Sequence, residues 1–445
     1  MNKLARQLID FFARHEGFRA RTRASPKALY PRGVPVYSHL RPLSTARGTG
    51  PMRRDRPKPG IETVSRLSLR PIRLARHGPC CSVACQSLPT APPGSPRAFV
   101  AGLAAVVLWS LSAVVAGPLP GPGKSLVCPR GISTMTLHVQ GAQLRNSAGK
   151  VVELRGVNIP SLEWTNTGEH VAESLQTAIH VWKCTIVRIE LSQTRWFGLA
   201  PGQKGHGMAY RKLVDGLVAA AGQARVYVIL NLQWSDLDRS AVDARQHRLP
   251  DARSAAFWQS VATRYRNWSN VWFDLYSETH GVNWAMWLHG GLTTAETRHT
   301  IVIYRAWGMQ QLYDTVRRQG AENIVVVPVL GWGANLVGLL NGYRLRGHNI
   351  IYDTHIYPFM TMWKKHLAAA VGRIPLMVGE WGGGAKNLLF GRRFLKFLDA
   401  HGLSWAAWSF NPDALPALIR NWRYDPTPFG ALVKTALTHP PKLRP

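Results

Sequence analysis

Short apolar runs alternate with segments of helical periodicity along most of the chain after Met135. Each run is of strand length and rich in β-branched and aromatic residues, as buried parallel strands are. Eight runs occur, at residues 151–158, 185–191, 226–234, 271–278, 324–331, 350–357, 376–381 and 405–410. Helical periodicity fills the intervals, for example at 210–221, 257–268, 304–319 and 392–400. Eight strand–helix units predict an α/β fold, a (β/α)8 TIM barrel with its functional site at the carboxyl ends of the strands.

A β-hairpin is predicted just before the first barrel strand. Residues 136–139 and 143–144 flank the turn residues Gly141 and Ala142, and a second turn follows at 146–149. We therefore expect one folded domain over residues 135–440, with the hairpin at its amino end.

Residues 1–97 show no sustained periodicity and are rich in Arg, Pro, Ser and Gly. A segment of this composition cannot bury a core of its own, which predicts a disordered basic tail. A start of translation further downstream, with this stretch not part of the protein, is the alternative.

An apolar run at 98–117 follows Arg97 and contains only two serines near its middle. The charged flank, the apolar run and the small residues at its end are typical of a secretory signal peptide, and the run is also long enough to be an uncleaved membrane anchor. A buried helix would be the structural alternative, but the Pro- and Gly-rich exit at 118–123 argues against it. With 118–134 as a linker, the barrel is expected to be exported, either secreted or held at the cell envelope.

The net charge of +31 is unevenly distributed. Residues 1–97 carry 19 Lys and Arg against 4 Asp and Glu. A basic chain can bind nucleic acid or an anionic polymer. Because no zinc-finger spacing or Walker loop accompanies the charge, a basic tail with a solvated basic surface is the favoured interpretation, and no nucleic-acid partner is expected.

Two predicted strands end in a glutamate beside an aromatic residue. Glu278 closes the run 271–278, and Glu380 lies near the end of the run 376–381. Because the carboxyl ends of parallel strands meet at one face of a barrel, the two carboxyl groups are expected to converge. Two carboxyl groups in different surroundings are what acid–base hydrolysis of a glycosidic bond requires.

The chain resembles glycoside hydrolase family 5, the cellulase-like retaining hydrolases of clan A, at five motifs in family order. They are LRGVN (154–158), VRI (187–189), YSETH (276–280), DTHIY (353–357) and VGEW (378–381). The resemblance implies that Glu278 is the general acid/base and Glu380 the nucleophile. It further implies that Arg188 keeps Glu380 ionised, that His355 and Tyr357 orient the pair, and that Trp408 is a sugar platform.

Two departures from the family pattern affect substrate contacts. Ser277 stands where the family has an asparagine that hydrogen-bonds the sugar 2-hydroxyl, and Gln233 replaces a histidine. Both side chains can still form hydrogen bonds. Thr279 also replaces a proline. Tryptophans at strand ends are candidate sugar-stacking faces, namely Trp234, Trp332, Trp381 and Trp408.

The predicted function is therefore double-displacement hydrolysis of β-glycosidic bonds in a polysaccharide or oligosaccharide, with an endo-β-glucanase favoured. No metal or cofactor is implied, and a monomer is expected. A catalytically degenerate, carbohydrate-binding barrel is the alternative, suggested by Ser277 and Gln233. The intact pair Glu278 and Glu380 favours the enzyme.

Overall fold

The computed structural model describes residue 128 and residues 132–235, 247–296 and 301–440. The predicted tail (1–97), the predicted signal or anchor (98–117) and most of the predicted linker (118–134) lie outside the described residues. No α-helix among the described residues is both long enough and apolar enough to cross a membrane.

Twelve strands occur in the described part of the chain. They are β1 (Leu137–Gln140), β2 (Gln143–Asn146), β3 (Arg155–Ile159), β4 (Ile186–Ser192), β5 (Tyr227–Trp234), β6 (Val271–Asp274), β7 (Gly291–Glu296), β8 (Ile301–Ala306), β9 (Val325–Pro328), β10 (Ile350–Ile356), β11 (Leu376–Trp381) and β12 (Ser404–Ala407). Eight of them form a closed parallel barrel in the order β3, β4, β5, β6, β9, β10, β11, β12 and back to β3. The predicted (β/α)8 barrel is confirmed.

Helices connect the barrel strands. They are α1 (Val171–His180), α2 (Gln193–Trp196), α3 (Met208–Gln223), α4 (Ala252–Tyr265), α5 (Trp284–His289), α6 (Met309–Arg317), α7 (Val337–Leu340), α8 (Trp363–Ala370), α9 (Leu388–His401) and α10 (Pro428–Thr438). Local sequence fixes several of their ends. Asp251 caps α4 in a reciprocal capping box with Ser254, and Thr427 caps α10, which has Pro428 in its first turn.

The predicted amino-terminal hairpin, β1–β2, is confirmed and closes the barrel end opposite the site. Leu137 and Leu144 of the hairpin belong to one buried cluster with barrel side chains such as Ile229, Trp272 and Met377. Apolar side chains thus fill the interior of the barrel at its amino end, and the carboxyl end holds the buried charged cluster around Arg188. A separate and larger cluster lies between the strands and the helices.

Several predicted boundaries are wrong; the first barrel strand, for example, begins at Arg155 and not at residue 151. The helix predicted at 304–319 begins at Met309, because Tyr304 belongs to β8, which pairs with β7 in an antiparallel hairpin that the sequence did not reveal. This hairpin exposes Leu292 and Ile303 on one face, so apolar residues occur on its exposed face as well as its buried one, and the sequence shows no alternation of polar and apolar residues there. The fourth and eighth barrel strands end at Asp274 and Ala407, which places Glu278 and Trp408 in the following loops.

Candidate active site

Arg188 on β4 is the central cation of the barrel's carboxyl end and is completely buried. Its Nη1 donates to Glu380 Oε1 at 2.7 Å and to Asn158 Oδ1 at 2.9 Å, and its Nε donates to Asp274 Oδ2 at 2.8 Å. Burial opposes a positive charge, but Asp274 and Glu380 outweigh it and raise the pKa of Arg188 above its usual range. Arg188 therefore provides a fixed positive charge beside Glu380.

Glu380 faces the barrel mouth because β11 is irregular. Met377 points into the barrel. If the side chains alternated strictly along the strand, Glu380, three residues later, would point outward. The pairing of β11 with β12 shifts between Val378 and Trp381, and Glu380 consequently points inward to Arg188. Trp381 points the other way and is fully buried against Trp405. The expectation that Trp381 stacks on sugar is therefore wrong.

The second oxygen of Glu380 has its own partners. Tyr357 OH donates to Oε2 at 3.1 Å, and His355 Nδ1 lies 3.4 Å from the same atom. Burial, and then the charge of Glu380, raise the pKa of Tyr357 well above its usual range, so the phenol keeps its proton as a donor. Contacts from Arg188 and Tyr357 stabilise the ionised form of Glu380.

Glu278 lies four residues beyond β6 with a left-handed backbone (φ +51°). Its loop is held by Thr279, whose Oγ1 donates to Val329 O at 3.1 Å and whose carbonyl accepts from Trp332 N at 3.0 Å. A quarter of the Glu278 side chain is exposed. Burial of the remainder, with the charge of Glu380, raises the pKa of Glu278 although His355 opposes the shift. These surroundings favour the protonated form of Glu278 more than water would for an exposed glutamate.

His355 connects the two glutamates. Its Nδ1 lies 3.1 Å from Glu278 Oε1, and its Nε2 lies 3.2 Å from Asp353 Oδ2. Burial lowers the pKa of His355, but Glu380 and Asp353 outweigh it, and the pKa is raised well above the usual value. Asp353 also accepts a hydrogen bond from the Gly379 amide. A Cβ at Gly379 would lie 2.2 Å from the Asp353 carboxylate, so only glycine fits there.

Carboxyl oxygens of Glu278 and Glu380 and a ring nitrogen of His355 all lie within 4.8 Å of one another. These groups are engaged with each other and with Arg188, Tyr357 and Asp353. The arrangement pairs a carboxyl group favoured in its neutral form with one stabilised as an anion. Such a pair can donate a proton and attack an electrophilic carbon on the same small substrate group.

The other predicted site residues also lie at this end of the barrel. Ser277 Oγ and Gln233 Oε1 are buried and have no hydrogen-bond partner among the described residues. Trp234, at the end of β5, is half-buried and lies 6.3 Å, ring centre to ring centre, from Trp164. Trp408 is half-buried after β12, and its Nε1 donates to Leu415 O at 3.3 Å.

Sequence reasoning missed several residues of this site: Asp274, Asp353, Glu190, Trp164 and Phe359. Period-two alternation could have found two of them, because Glu190 shares a strand face with Arg188, and Asp353 shares one with His355. Phe359 is 44% exposed, and its ring is parallel to that of Tyr357 with centres 6.0 Å apart. Loop residues such as Phe359 follow no period, so no local pattern identifies them.

A family model described as cellulase (glycosyl hydrolase family 5) matches residues 145–414. The chain belongs to glycosyl hydrolase family 5. The resemblance noted at the five motifs is confirmed. Within this family, similar curated relatives are Endoglucanase MaCel5A of Microbulbifer sp. (strain ALW1), 23% identical, and Endoglucanase E-5 of Thermobifida fusca, 22% identical. The matches cover 64% and 62% of this chain but 53% and 56% of the relatives, so the chain spans about half of their length.

A third relative, 23% identical, is named the major extracellular endoglucanase of Xanthomonas campestris pv. campestris; the match covers 61% of this chain and 64% of the relative. Among solved structures, β-glucanase SdGluc5_26A of Saccharophagus degradans in complex with cellotetraose is similar, with a TM-score of 0.54 and 20% identity over 72% of this chain and 97% of that chain. The catalytic domain of Thermobifida fusca endoglucanase Cel5A (E5) gives a TM-score of 0.51 and 18% identity, covering 68% of this chain and 97% of that one. At these identities, the structural comparisons establish the shared (β/α)8 fold.

Proposed function

We propose that this protein is a retaining β-glycosidase that cleaves internal bonds of a β-linked glucan. The observation that carries the proposal is the pair Glu278 and Glu380, with oxygens within 4.8 Å of one another and opposite electrostatic surroundings. Retaining glycosidases have carboxyl groups about 5–5.5 Å apart, whereas inverting enzymes need a wider gap for a water molecule. The endoglucanase names of the relatives support a β-glucan as the substrate.

In the first step, Glu278 donates its proton to the glycosidic oxygen while a carboxylate oxygen of Glu380 attacks the anomeric carbon. The carbon–oxygen bond to the leaving sugar breaks, and a glycosyl ester with Glu380 forms. In the second step, Glu278, now ionised, takes a proton from water, whose oxygen attacks the same carbon and releases Glu380. Two inversions restore the β configuration.

The supporting residues follow from their contacts. Arg188 and Tyr357 stabilise the Glu380 carboxylate before attack. His355 contacts both glutamates and fixes their relative positions. Ser277 and Gln233 are assigned to the sugar in the cleaved-bond subsite, because each has an unpartnered buried polar atom. Trp408 and Trp234 are assigned to stacking on sugar rings, for which half-buried indoles at the barrel mouth are suited.

We also propose export of the barrel. Residues 98–117 would act as a signal peptide or anchor and 1–97 as a basic tail outside the catalytic unit. The composition of those segments supports this assignment, as does the name of the Xanthomonas relative.

The roles of the two glutamates are tested by the variants Glu380→Ala and Glu278→Ala. Without Glu380 no glycosyl ester can form, so aryl glycosides with good leaving groups are expected to be as inert as glucans. Without Glu278 the first step still proceeds on a good leaving group, and azide is expected to restore turnover because this small anion needs no general base. The azide product should have the β configuration.

A parent protein with no turnover on β-glucans or aryl β-glycosides, but with measurable binding of oligosaccharides, would instead identify a degenerate carbohydrate-binding barrel. Azide rescue of Glu380→Ala with a β-configured azide product would exchange the two roles, whereas an α-configured product, formed by a single inversion, would leave Glu380 as the nucleophile.

A further inference from the structure

A third carboxyl group contacts the cation that holds the proposed nucleophile. Glu190 follows Arg188 by two residues on β4, and its Oε1 lies 3.3 Å from Arg188 Nη1. The same nitrogen lies 2.7 Å from Glu380, and Arg188 Nε lies 2.8 Å from Asp274. All four side chains are buried, with exposed fractions of 4% or less.

A single guanidinium charge cannot neutralise three carboxylates in a buried region, because unpaired buried anions are costly. Asp274 also accepts from Asn231 Nδ2 at 2.8 Å, and Glu380 accepts from Tyr357. Glu190 Oε2 and Asp274 Oδ1 both have no hydrogen-bond partner among the described residues. Asp274 is nevertheless held by two donors on its other oxygen, whereas Glu190 has a single contact with Arg188, the longest of the three. Glu190 is therefore the group with the weakest support for a negative charge.

The surroundings of Glu190 also disfavour a negative charge on its carboxyl group. Burial raises its pKa well above the usual range, and the neighbouring Glu163, on the loop after β3, raises it further. Burial also raises the pKa of Glu163 to about 8, although the cations Arg195 and Arg188 oppose the shift. A second acid next to Glu190 makes a negative charge there less favourable still.

We propose that Glu190 is a positioning residue for the nucleophile: it supports the Arg188 guanidinium as an uncharged hydrogen-bond acceptor, so that the charge of Arg188 remains directed to Glu380. This proposal rests on the proposed role of Glu380. Charged groups face the pair Glu163 and Glu190 from several elements. They are Arg188 from β4, Arg195 from α2 and Glu380 from β11, and the uncharged phenol of Tyr210 from α3 also faces the pair. Loss of a proton from Glu190 would place a second anion on Arg188 Nη1, in competition with Glu380.

The test compares Glu190→Gln with Glu190→Leu in the full-length protein, with kcat and KM on an aryl β-cellobioside measured from pH 4 to 9. The amide of Gln keeps an uncharged acceptor, so kcat/KM and the acid limb of its pH profile should match the wild type. Leucine has a similar size but no hydrogen-bond acceptor, so Arg188 Nη1 loses its contact with residue 190. Its kcat should fall by about tenfold, the rate equivalent of one net hydrogen bond, with KM little changed and the acid limb displaced.

The matched control is Glu153→Gln at the amino end of the barrel. Glu153 is another largely buried glutamate with a raised pKa, and it lies 2.7 Å from Arg155. Its replacement should alter thermal stability without moving the pH profile. Wild-type kinetics in Glu190→Leu would overturn the proposal. So would an acid limb displaced by Glu190→Gln, because that result would mean that Glu190 carries a charge in the active protein.

Infrared difference spectra of wild type and Glu190→Gln at pH 6 give a readout independent of turnover. The carbonyl band of a protonated carboxylic acid should disappear in the variant, and an unchanged band would overturn the proposal. Absence of turnover in the wild type on every β-glycoside would refute the proposed hydrolase, while the infrared result would still decide whether Glu190 is uncharged.

Discussion

At the scale of single residues, surroundings give two identical side chains different chemistry. Glu278 lies in a loop, a quarter exposed, with one contact from His355. Glu380 is nearly buried, and Arg188 and Tyr357 each occupy one of its oxygens. Burial thus raises the pKa of Glu278, whereas Glu380 accepts hydrogen bonds from a guanidinium and a phenol. These different surroundings suit the division of roles that double displacement needs.

The raised pKa of Glu278 predicts the alkaline side of the activity profile. Glu278 must be protonated to act on a poor leaving group, so activity is lost as pH rises through its pKa. Because burial raises that pKa, the loss should occur at higher pH than for an ordinary glutamate. The measurement is kcat/KM against pH for a cello-oligosaccharide. Glu278→Gln should abolish the alkaline limb for aryl glycosides with good leaving groups; an unchanged limb would assign it to another group.

At the scale of elements, strands hold the charged groups and loops supply the aromatic surfaces. Arg188, His355 and Glu380 lie on β4, β10 and β11, where backbone hydrogen bonds fix their positions. Aromatic side chains come from the segments after the strands, such as Trp408 after β12 and Phe359 after β10. In barrel order, β10 and β12 lie on either side of β11, so these aromatic residues flank Glu380 from opposite sides.

Phe359 is expected to bind a sugar ring beyond the cleaved bond, because its exposed ring is parallel to that of Tyr357, whose hydroxyl contacts Glu380. Phe359→Ala should raise KM for cellohexaose by about tenfold, within the range for loss of an aromatic contact, and leave aryl β-cellobioside hydrolysis unchanged. Leu389→Ala on α9, which also removes an exposed apolar side chain (61% exposed), is the control and should alter neither substrate. Equal effects of Phe359→Ala on both substrates would contradict the assignment.

At the scale of the whole molecule, the proposed catalytic residues are contained in one closed barrel. Every residue given a role lies between 158 and 408, and the hairpin β1–β2 closes the opposite end with apolar side chains. Barrel closure leaves no unpaired edge among its eight strands.

We therefore predict that a fragment of residues 124–445 folds and hydrolyses a soluble substrate with at least a tenth of the full-length turnover. A loss larger than about tenfold, equivalent to roughly 1.4 kcal/mol in the barrier, would mean that earlier residues contribute to the site. Limited proteolysis of the full-length protein supplies the control. A stable fragment beginning near residues 124–135 should survive, and loss of the barrel at the same rate would contradict the prediction.

The sequence alone determined the barrel and its reactive end. Burial on both faces makes parallel strands continuous apolar runs, and this local property identified all eight barrel strands, with Arg188, His355 and Glu380 on three of them. The tertiary structure decided the features that no local periodicity of the sequence indicates, namely side-chain directions at irregular positions and the hairpin β7–β8. The irregularity in β11 turned Glu380 inward and Trp381 into the core, and packing made Tyr304 part of a hairpin. Asp274 on β6 became a partner of Arg188 on β4 only when the barrel closed, because the electrostatics of a buried site depend on distances between residues far apart in the chain.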